Sequence, residues 1–284
     1  IDVIIVQALN AINHYKRISC TGKCSCTSDP YCRRITSRLA FPLYRQKSGH
    51  AAQQSVTCCS ELLRRGLDRI GVRLTPTQDE AFGVYLSELR RWASQVNLTG
   101  LRSEEAIIRE GFLRSLSYRV AFEPLPLMKA IDVGSGAGFP GLVLKIGYPA
   151  IDMLLLEPRR KRATFLRSTI RRLGLTGVRC IQARVEELHG DAEHQGRYAL
   201  AFARAVGPVP DVARMIEPLL APSGRLILQM GQRTRDSLPS AHPLLVALGM
   251  RAEEREAPAP DVGFPPTRLL ILDRSPSLAP SCFT

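Results

Sequence analysis

The spacing of hydrophobic positions changes character part-way along this chain. From residue 61 to about 120, apolar residues recur three and four apart, as in helices with one buried face. From residue 130 onward, short apolar runs alternate with helical stretches, as in buried strands joined by crossover helices. Leu62, Leu63, Leu67 and Ile70 predict a helix over 61–70. A second helix is predicted from Pro76 to about residue 95. Thr75 is its expected N-cap, Pro76 its first position and Gln78 the partner in a capping box. The stripe Phe82, Tyr85, Leu86, Leu89 and Trp92 is expected in the core. Residues 97–100 break that helix, and a third is predicted over 104–120.

Strands are predicted at 130–133, 151–156, 178–182, 198–203, 224–230 and 269–273. Helices are predicted at 142–146, 159–173 and 209–219, with a turn or short helix at 184–188. A proline-rich loop, 257–266, precedes the last strand. Strands separated by helices imply an α/β fold, with a mostly parallel sheet covered on both faces. The expected organisation is a small N-terminal helical cap over 61–125, a Rossmann-like sheet domain over 126–274 and a tail over 275–284. No internal repeat is present.

The stretch between the first two strands carries the first chemistry. Gly134, Gly136, Gly138 and Gly141 follow the first strand, and Glu157 closes the second. Glycines there let the backbone turn tightly and approach a ligand, and a helix N-terminus points N–H groups outward. An acid at the end of strand two can accept both hydroxyls of a ribose. A nucleoside-containing cofactor is therefore expected over the carboxyl ends of strands one and two. Gly136-Ala-Gly138-Phe-Pro-Gly141 fits the dinucleotide pattern G-x-G-x-x-G. The earlier frame, Asp132-Val-Gly134-Ser-Gly136-Ala-Gly138, fits the D-x-G-x-G-x-G turn of S-adenosyl-L-methionine (SAM) enzymes. SAM carries an ammonium and a sulfonium and no pyrophosphate, so an acid beside the loop suits it and repels a dinucleotide. A ligand-free structural turn is the third reading.

Charge adds a partner. The 284 residues carry a formal net charge of +13, which favours an acidic partner such as nucleic acid. Arg159, Arg160, Lys161 and Arg162 open the helix after Glu157. Cations at a helix N-terminus oppose its dipole, so they point either to an anionic partner such as RNA or to a solvated basic face. No apolar run approaches the roughly 20 residues of a membrane helix, so no membrane partner is expected.

Residues 1–60 read differently. They hold six of the eight cysteines, at positions 20, 24, 26, 32, 58 and 59, and very few acids. The cysteine spacing suits zinc poorly, since one residue between Cys24 and Cys26 is tight for tetrahedral ligation. An organellar transit peptide is an alternative. The preferred expectation is that 1–60 stand outside the folded domain, as translated upstream DNA or a disordered arm. The remainder is cysteine-poor, as in a reducing cytoplasm.

Methyl transfer from SAM is an in-line displacement, so the protein mainly aligns the nucleophile. An exocyclic adenine amine usually meets an Asn/Asp-Pro-Pro-aromatic turn after the fourth strand. Here that position reads Phe202-Ala-Arg204-Ala-Val-Gly-Pro208. A pyrimidine C5 needs a cysteine nucleophile, and neither Cys180 nor Cys282 is placed for it. A ring nitrogen with an in-plane lone pair needs neither. No general base, covalent catalyst or metal is therefore expected. Arg184-Val185-Glu186-Glu187 follows the third strand, on the side where an adenine would lie. Arg204 ends the fourth strand, either paired to an acid of the cofactor loop or contacting substrate.

Asp132-Val-Gly-Ser-Gly-Ala-Gly-Phe-Pro-Gly141, Leu155-Leu156-Glu157, Lys161-Arg162 and Phe165-Leu166-Arg167 resemble the RsmG family, also called glucose-inhibited division protein B. Arg184-Val-Glu186-Glu187, Ala203-Arg204-Ala205 and Trp92…Asn97-Leu98-Thr99 extend the resemblance, which covers about 74–274 in order. It implies a Rossmann-like SAM-dependent methyltransferase sheet. The implied enzyme is bacterial, sometimes plastid, and methylates N7 of one guanine in small-subunit ribosomal RNA. Gly134 and Phe139 would line the cofactor, and Val185 and Glu186 would hold its adenine side, beside the Gly136 and Glu157 that the glycine turn and the strand-two acid already assign to the cofactor and its ribose. Arg204 would belong to the same site. The partner is small-subunit RNA or the small subunit itself, the location cytoplasmic and the expected state monomeric.

The chain departs from the family where Gly111 and Arg114 stand in place of the His and Asp of a His-x-x-Asp-Ser segment. It departs again at Met230, where the family commonly has Lys before Gly. Three rivals follow: a small-molecule SAM methyltransferase, a non-catalytic SAM- or RNA-binding relative, and a Rossmann oxidoreductase.

Overall fold

The computed structural model describes residues 61–275. The zinc, transit-peptide and arm expectations for 1–60, and the tail beyond Ser275, lie outside the described residues.

Helix α1 spans Glu61–Arg69 and α2 spans Pro76–Ala93. The predicted capping box at α2 is present. The Thr75 hydroxyl accepts the Gln78 N–H at 3.3 Å, and the Gln78 side chain accepts the Thr75 N–H at 2.8 Å. Phe82, Tyr85 and Leu89 are buried, as their spacing predicts, and Leu86 and Trp92 pack against them.

The third helix differs from expectation. Glu104–Ala106, Ile107–Leu113 and Arg114–Leu116 run on as one helix, α3, whose middle part is π-helical. A 3₁₀ turn over Ser117–Ala121 follows in place of the predicted α-helical end. The wider turn leaves carbonyls that side chains take up. Ser115 Oγ donates to the Gly111 carbonyl at 2.5 Å and Ser117 Oγ to that of Leu113 at 2.9 Å.

The strands are β1 Lys129–Val133, β2 Asp152–Leu156, β3 Val178–Ile181, β4 Tyr198–Ala203, β5 Leu220–Gln229, β6 Met250–Ala257 and β7 Thr267–Arg274. They form one sheet in the order β3-β2-β1-β4-β5-β7-β6. The first five are parallel, and β7 runs antiparallel to both its neighbours. This is the doubly wound order with one reversed strand inserted before the edge, hence the expected Rossmann-like sheet. Helices α4 (Gly141–Gly147), α5 (Arg160–Arg172), α6 (Val209–Ile216) and α7 (Gln232–Ala247) complete the fold.

Alternation along each strand splits the core in two. Ala130, Leu155, Phe202, Ile227 and Ile271 face α1–α5, while Ile131, Leu156, Ala203, Leu228 and Leu270 face α6 and α7. Two elements escape the sequence pattern. Helix α7 carries Pro239 and Pro243 inside it, which argues against a helix locally. It forms because Ala241 and Leu245 bury against the second core. Strand β6, Met-Arg-Ala-Glu-Glu-Arg-Glu-Ala, is charged and lies at the sheet edge, where charge discourages pairing with another chain.

Candidate cofactor and acceptor site

β1 ends at Val133 and the glycine turn follows, beside the carboxyl ends of β2 and β4. The turn is held almost entirely by its own surroundings. Gly134 and Ser135 donate to the Leu156 carbonyl at 2.8 and 3.1 Å. Gly138 and Phe139 donate to the Ser135 carbonyl at 2.7 and 3.2 Å. The Gly136 N–H donates to Glu157 Oε2 at 2.8 Å, and the Gly141 N–H to Asp132 Oδ2 at 3.0 Å. Tyr85, from α2, donates its hydroxyl to the Ala137 carbonyl. Helical spacing marks Tyr85 as core, and nothing in that spacing betrays the hydroxyl's partner.

This corrects the picture of an open N–H cradle. Most of the amides that a pyrophosphate would need already donate within the protein. One buried carboxyl oxygen beside the turn is left unpaired: Asp132 is 1% exposed, and its Oδ1 has no hydrogen-bond partner. Burial pushes Asp132 up to about 7, Glu157 nearby adds to the rise, and the Gly141 amide and Arg204 oppose it. Such a pocket fits a ligand that brings positive charge and disfavours a dinucleotide.

Glycine is sterically required at several positions of the turn. A Cβ on Gly141 would lie 2.6 Å from the Asp132 Cβ and 2.6 Å from Leu155 Cδ2. Gly134 has φ +73°, and a Cβ there would lie 3.2 Å from Val206 Cγ2.

Glu157 is buried at the end of β2. Its carboxylate accepts from the Gly136 N–H and from the Arg159 N–H, each at 2.8 Å. It therefore braces the turn, and each oxygen keeps acceptor capacity for a hydroxyl. Val185 is buried and Glu186 exposed on a 3₁₀ turn, Val185–Leu188, just after β3. Phe139 is buried against Tyr85 and Phe112, with ring centroids 6.1 Å apart in both pairs.

The basic run divides. Arg159, Arg160 and Lys161 are exposed. Arg162 is committed: it donates to the Asn97 carbonyl at 3.2 and 3.0 Å, and its Nη1 lies 3.8 Å from the position of a Cβ on Gly136. The run is thus three exposed cations and one strut.

Of the two readings for Arg204, the ion pair to an acid of the cofactor loop is not formed. Its Nη1 donates to the backbone carbonyl of Glu110, on the π-helical part of α3, at 2.9 Å. The pairing follows from α3 packing over the sheet: the next residue, Gly111, lies against Phe139. A Cβ on Gly111 would stand 2.7 Å from Phe139 Cζ, so only a residue without a side chain fits there unless Phe139 moves. Arg114 lies 2.8 Å through Nε from Glu110 Oε2, though without hydrogen-bond alignment. Its guanidinium also lies 5.9 Å from the centroid of Phe264, on the loop between β6 and β7. Arg109 binds Asp261 of that loop at 2.9 Å. Met230, third of the departures, is buried against the second core.

A family model, GidB: rRNA small subunit methyltransferase G, matches residues 78–255. Ribosomal RNA small subunit methyltransferase G of Roseiflexus sp. (strain RS-1) is 37% identical over 210 residues, 74% of this chain and 89% of that protein. The protein of the same name from Rubrobacter xylanophilus is 37% identical over 218 residues, 75% of this chain and 82% of its own length. That from Deinococcus radiodurans is 34% identical over 214 residues, 75% of this chain and 84% of its own. The family match runs from within α2 into β6, so it spans both faces of the sheet and everything between β1 and Arg204. The chain belongs to the rRNA small subunit methyltransferase G family.

Proposed function

We propose that this chain transfers a methyl group from S-adenosyl-L-methionine to N7 of a guanine in small-subunit ribosomal RNA. The observation that carries the reading is the glycine turn. Most of its amides donate within the protein and the buried Asp132 Oδ1 beside it is left without a partner, in a chain belonging to a family of RNA methyltransferases. S-adenosyl-L-methionine, when bound, supplies a methyl group already activated by its sulfonium. Gly134, Gly136 and Phe139 line the cofactor, Glu157 accepts from its ribose, and Asp132 offers negative charge to its cationic end. Val185 and Glu186 flank the adenine.

Guanine N7 carries an in-plane lone pair and no proton. The protein therefore has nothing to deprotonate, and its task is alignment and control of charge. The guanine becomes cationic as the methyl group arrives. A bare guanidinium beside it would oppose the reaction, and the Glu110 carbonyl takes one N–H of Arg204. Arg204 orients substrate and α3 and moves no proton. Arg159, Arg160 and Lys161 meet RNA phosphates outside the cofactor pocket. The partner is small-subunit RNA or the small subunit, met by a monomer in the cytoplasm. Among the described residues no helix is long and apolar enough to cross a membrane.

The test adds the protein and labelled S-adenosyl-L-methionine to small subunits from cells lacking the enzyme, then maps the label. Label on guanine N7 is expected. Label on an exocyclic amine, a ribose or a pyrimidine carbon would overturn the N7 assignment. No label with cofactor still bound would favour a non-catalytic relative, with Gly111, Arg114 and Met230 as the suspects.

A further inference from the structure

The π-helical part of α3 carries a carboxylate that none of the preceding roles uses. We infer that Glu110 reads the acceptor base, accepting hydrogen bonds from the N1–H and N2–H of guanine while N7 faces the methyl donor. The inference rests on the function proposed above and adds a specificity residue to it.

Three observations place Glu110 at the acceptor side. Its own carbonyl binds Arg204 at the end of β4. Its neighbour Gly111 abuts Phe139 of the glycine turn. Its side chain reaches Arg114, whose guanidinium lies near the Phe264 ring. The residue thus stands between the cofactor turn, the end of β4 and the β6–β7 loop. Its side chain is 28% exposed, against 12% for Arg114. The approach of Oε2 to Arg114 Nε, at 2.8 Å, lacks hydrogen-bond alignment. With a side chain 28% exposed and no aligned hydrogen bond to Arg114, the carboxylate retains acceptor capacity on its open side.

The chemistry of the base selects the rest. Guanine offers donors at N1 and N2 and acceptors at O6 and N7. An ionised carboxylate only accepts, so it can meet N1–H and N2–H together and cannot occupy N7. That edge is opposite the imidazole ring, so a guanine held there leaves N7 free for attack. Adenine has no N1–H and would place a lone pair against the carboxylate. Methylation also makes the purine cationic and its N–H groups stronger donors. Both hydrogen bonds therefore tighten as the methyl group moves, and the carboxylate stabilises the transition state more than the ground state.

The experiment uses small subunits reconstituted with RNA carrying guanosine, inosine or adenosine at the mapped position. Inosine lacks the N2 amine. Wild-type protein should methylate inosine about tenfold or more slowly than guanosine, the worth of one charge-assisted hydrogen bond. Glu110→Gln should lose about tenfold or more on guanosine in kcat/KM and flatten the guanosine-to-inosine ratio, with cofactor affinity unchanged. Glu110→Asp should keep a partial preference for guanosine. If Glu110 is only a helical ion-pair partner of Arg114, Glu110→Gln will lower the melting temperature and leave the ratio at its wild-type value, and the inference fails. A wild-type protein that methylates guanosine and inosine equally also overturns it. Failure of the wild type to label guanosine at all refutes the function proposed above instead, and so remains distinguishable.

Discussion

The glycine turn and the π-helical part of α3 face each other across Phe139, and they are built in opposite ways. In the turn, backbone meets backbone: carbonyls of Leu156 and Ser135 take its N–H groups, and the side chains that intrude are two carboxylates and the Tyr85 hydroxyl. In α3, side chains converge from distant segments. Arg204 comes from the end of β4, Asp261 and Phe264 from the β6–β7 loop, and Phe139 from the turn itself. A backbone-built site tolerates few residue types at each position and writes itself into the sequence. A side-chain-built site can be assembled many ways. The turn matches the family's pattern closely, whereas α3 carries two of the three departures, Gly111 and Arg114.

The turn is most sensitive to a side chain at Gly141. Gly141→Val forces a side chain into Asp132 and Leu155, both buried in the sheet. Overpacking of this kind costs about 1–3 kcal/mol or more, and the Asp132–Gly141 hydrogen bond goes with it. We expect loss of measurable cofactor binding by calorimetry and a clear drop in melting temperature. A variant that binds normally would mean the turn is less constrained than its packing implies. Glu157→Ala comes next. It removes the acceptor for Gly136 and Arg159 as well as the ribose hydrogen bonds. Charge-assisted bonds contribute roughly 1.5–3 kcal/mol, so cofactor affinity should fall about tenfold or more. Unchanged affinity would remove Glu157 from the site.

Asp132 gives the comparison a pH axis. Its carboxyl titrates near 7 in the folded protein against 3.8 for the free group, with burial as the main cause. A raised acid contributes stability that is complete below about pH 4 and is lost as pH rises through 7. A cationic ligand draws the same group into its charged form. Cofactor affinity should therefore rise with pH up to about 7 and level off above it, by at most about tenfold per unit below that point. Binding should release a proton, visible by calorimetry in buffers of different ionisation enthalpy. Asp132→Asn should flatten the profile and weaken binding at pH 8. A profile without slope between pH 5.5 and 7.5 would show that Asp132 does not face the ligand's charge.

The same contrast explains which features are legible in the sequence. The acid-first glycine frame, the strand-two acid and the capping box at Thr75 each rest on a local demand, which adjacent residues must meet. Five parallel strands follow from the alternation of apolar runs. Strand β6 does not, because an edge strand buries only one side in part and its charges mask the period. Helix α7 is hidden by Pro239 and Pro243, whose local cost is overridden by burial of Ala241 and Leu245. The π-helical widening of α3 has no sequence period of its own. Arg204 stands out at the end of its strand, but its partner is a carbonyl 94 residues away, which no spacing rule can supply. Tyr85 reads as apolar surface, and its hydroxyl's role emerges only once α2 packs over the turn.

The smallest expected effects separate the basic run after Glu157 into its two parts. Arg160 and Lys161 are exposed and open α5, where their charge opposes the helix dipole. Replacing either with alanine should leave melting temperature and cofactor affinity essentially unchanged, since neither side chain has a partner to lose among the described residues. What changes is binding to RNA. Removing one cation that meets a phosphate should weaken affinity similarly for all sequences and reduce the slope of log affinity against log salt by about one. Arg162 should behave differently despite carrying the same charge. It ties the Asn97 carbonyl to α5 and lies beside Gly136, so its removal loosens both that strut and the cofactor turn. Arg162→Ala should therefore lower melting temperature and cofactor affinity modestly, by the roughly 1.5–3 kcal/mol of a hydrogen bond to a charged group at most, with partial exposure reducing it. Arg162→Lys should restore charge without restoring the paired geometry. Filter binding across a salt series, with calorimetry on the same variants, reads both behaviours. If Arg160→Ala and Lys161→Ala leave the salt slope intact, the exposed cations are a solvated face and RNA is held elsewhere on the molecule.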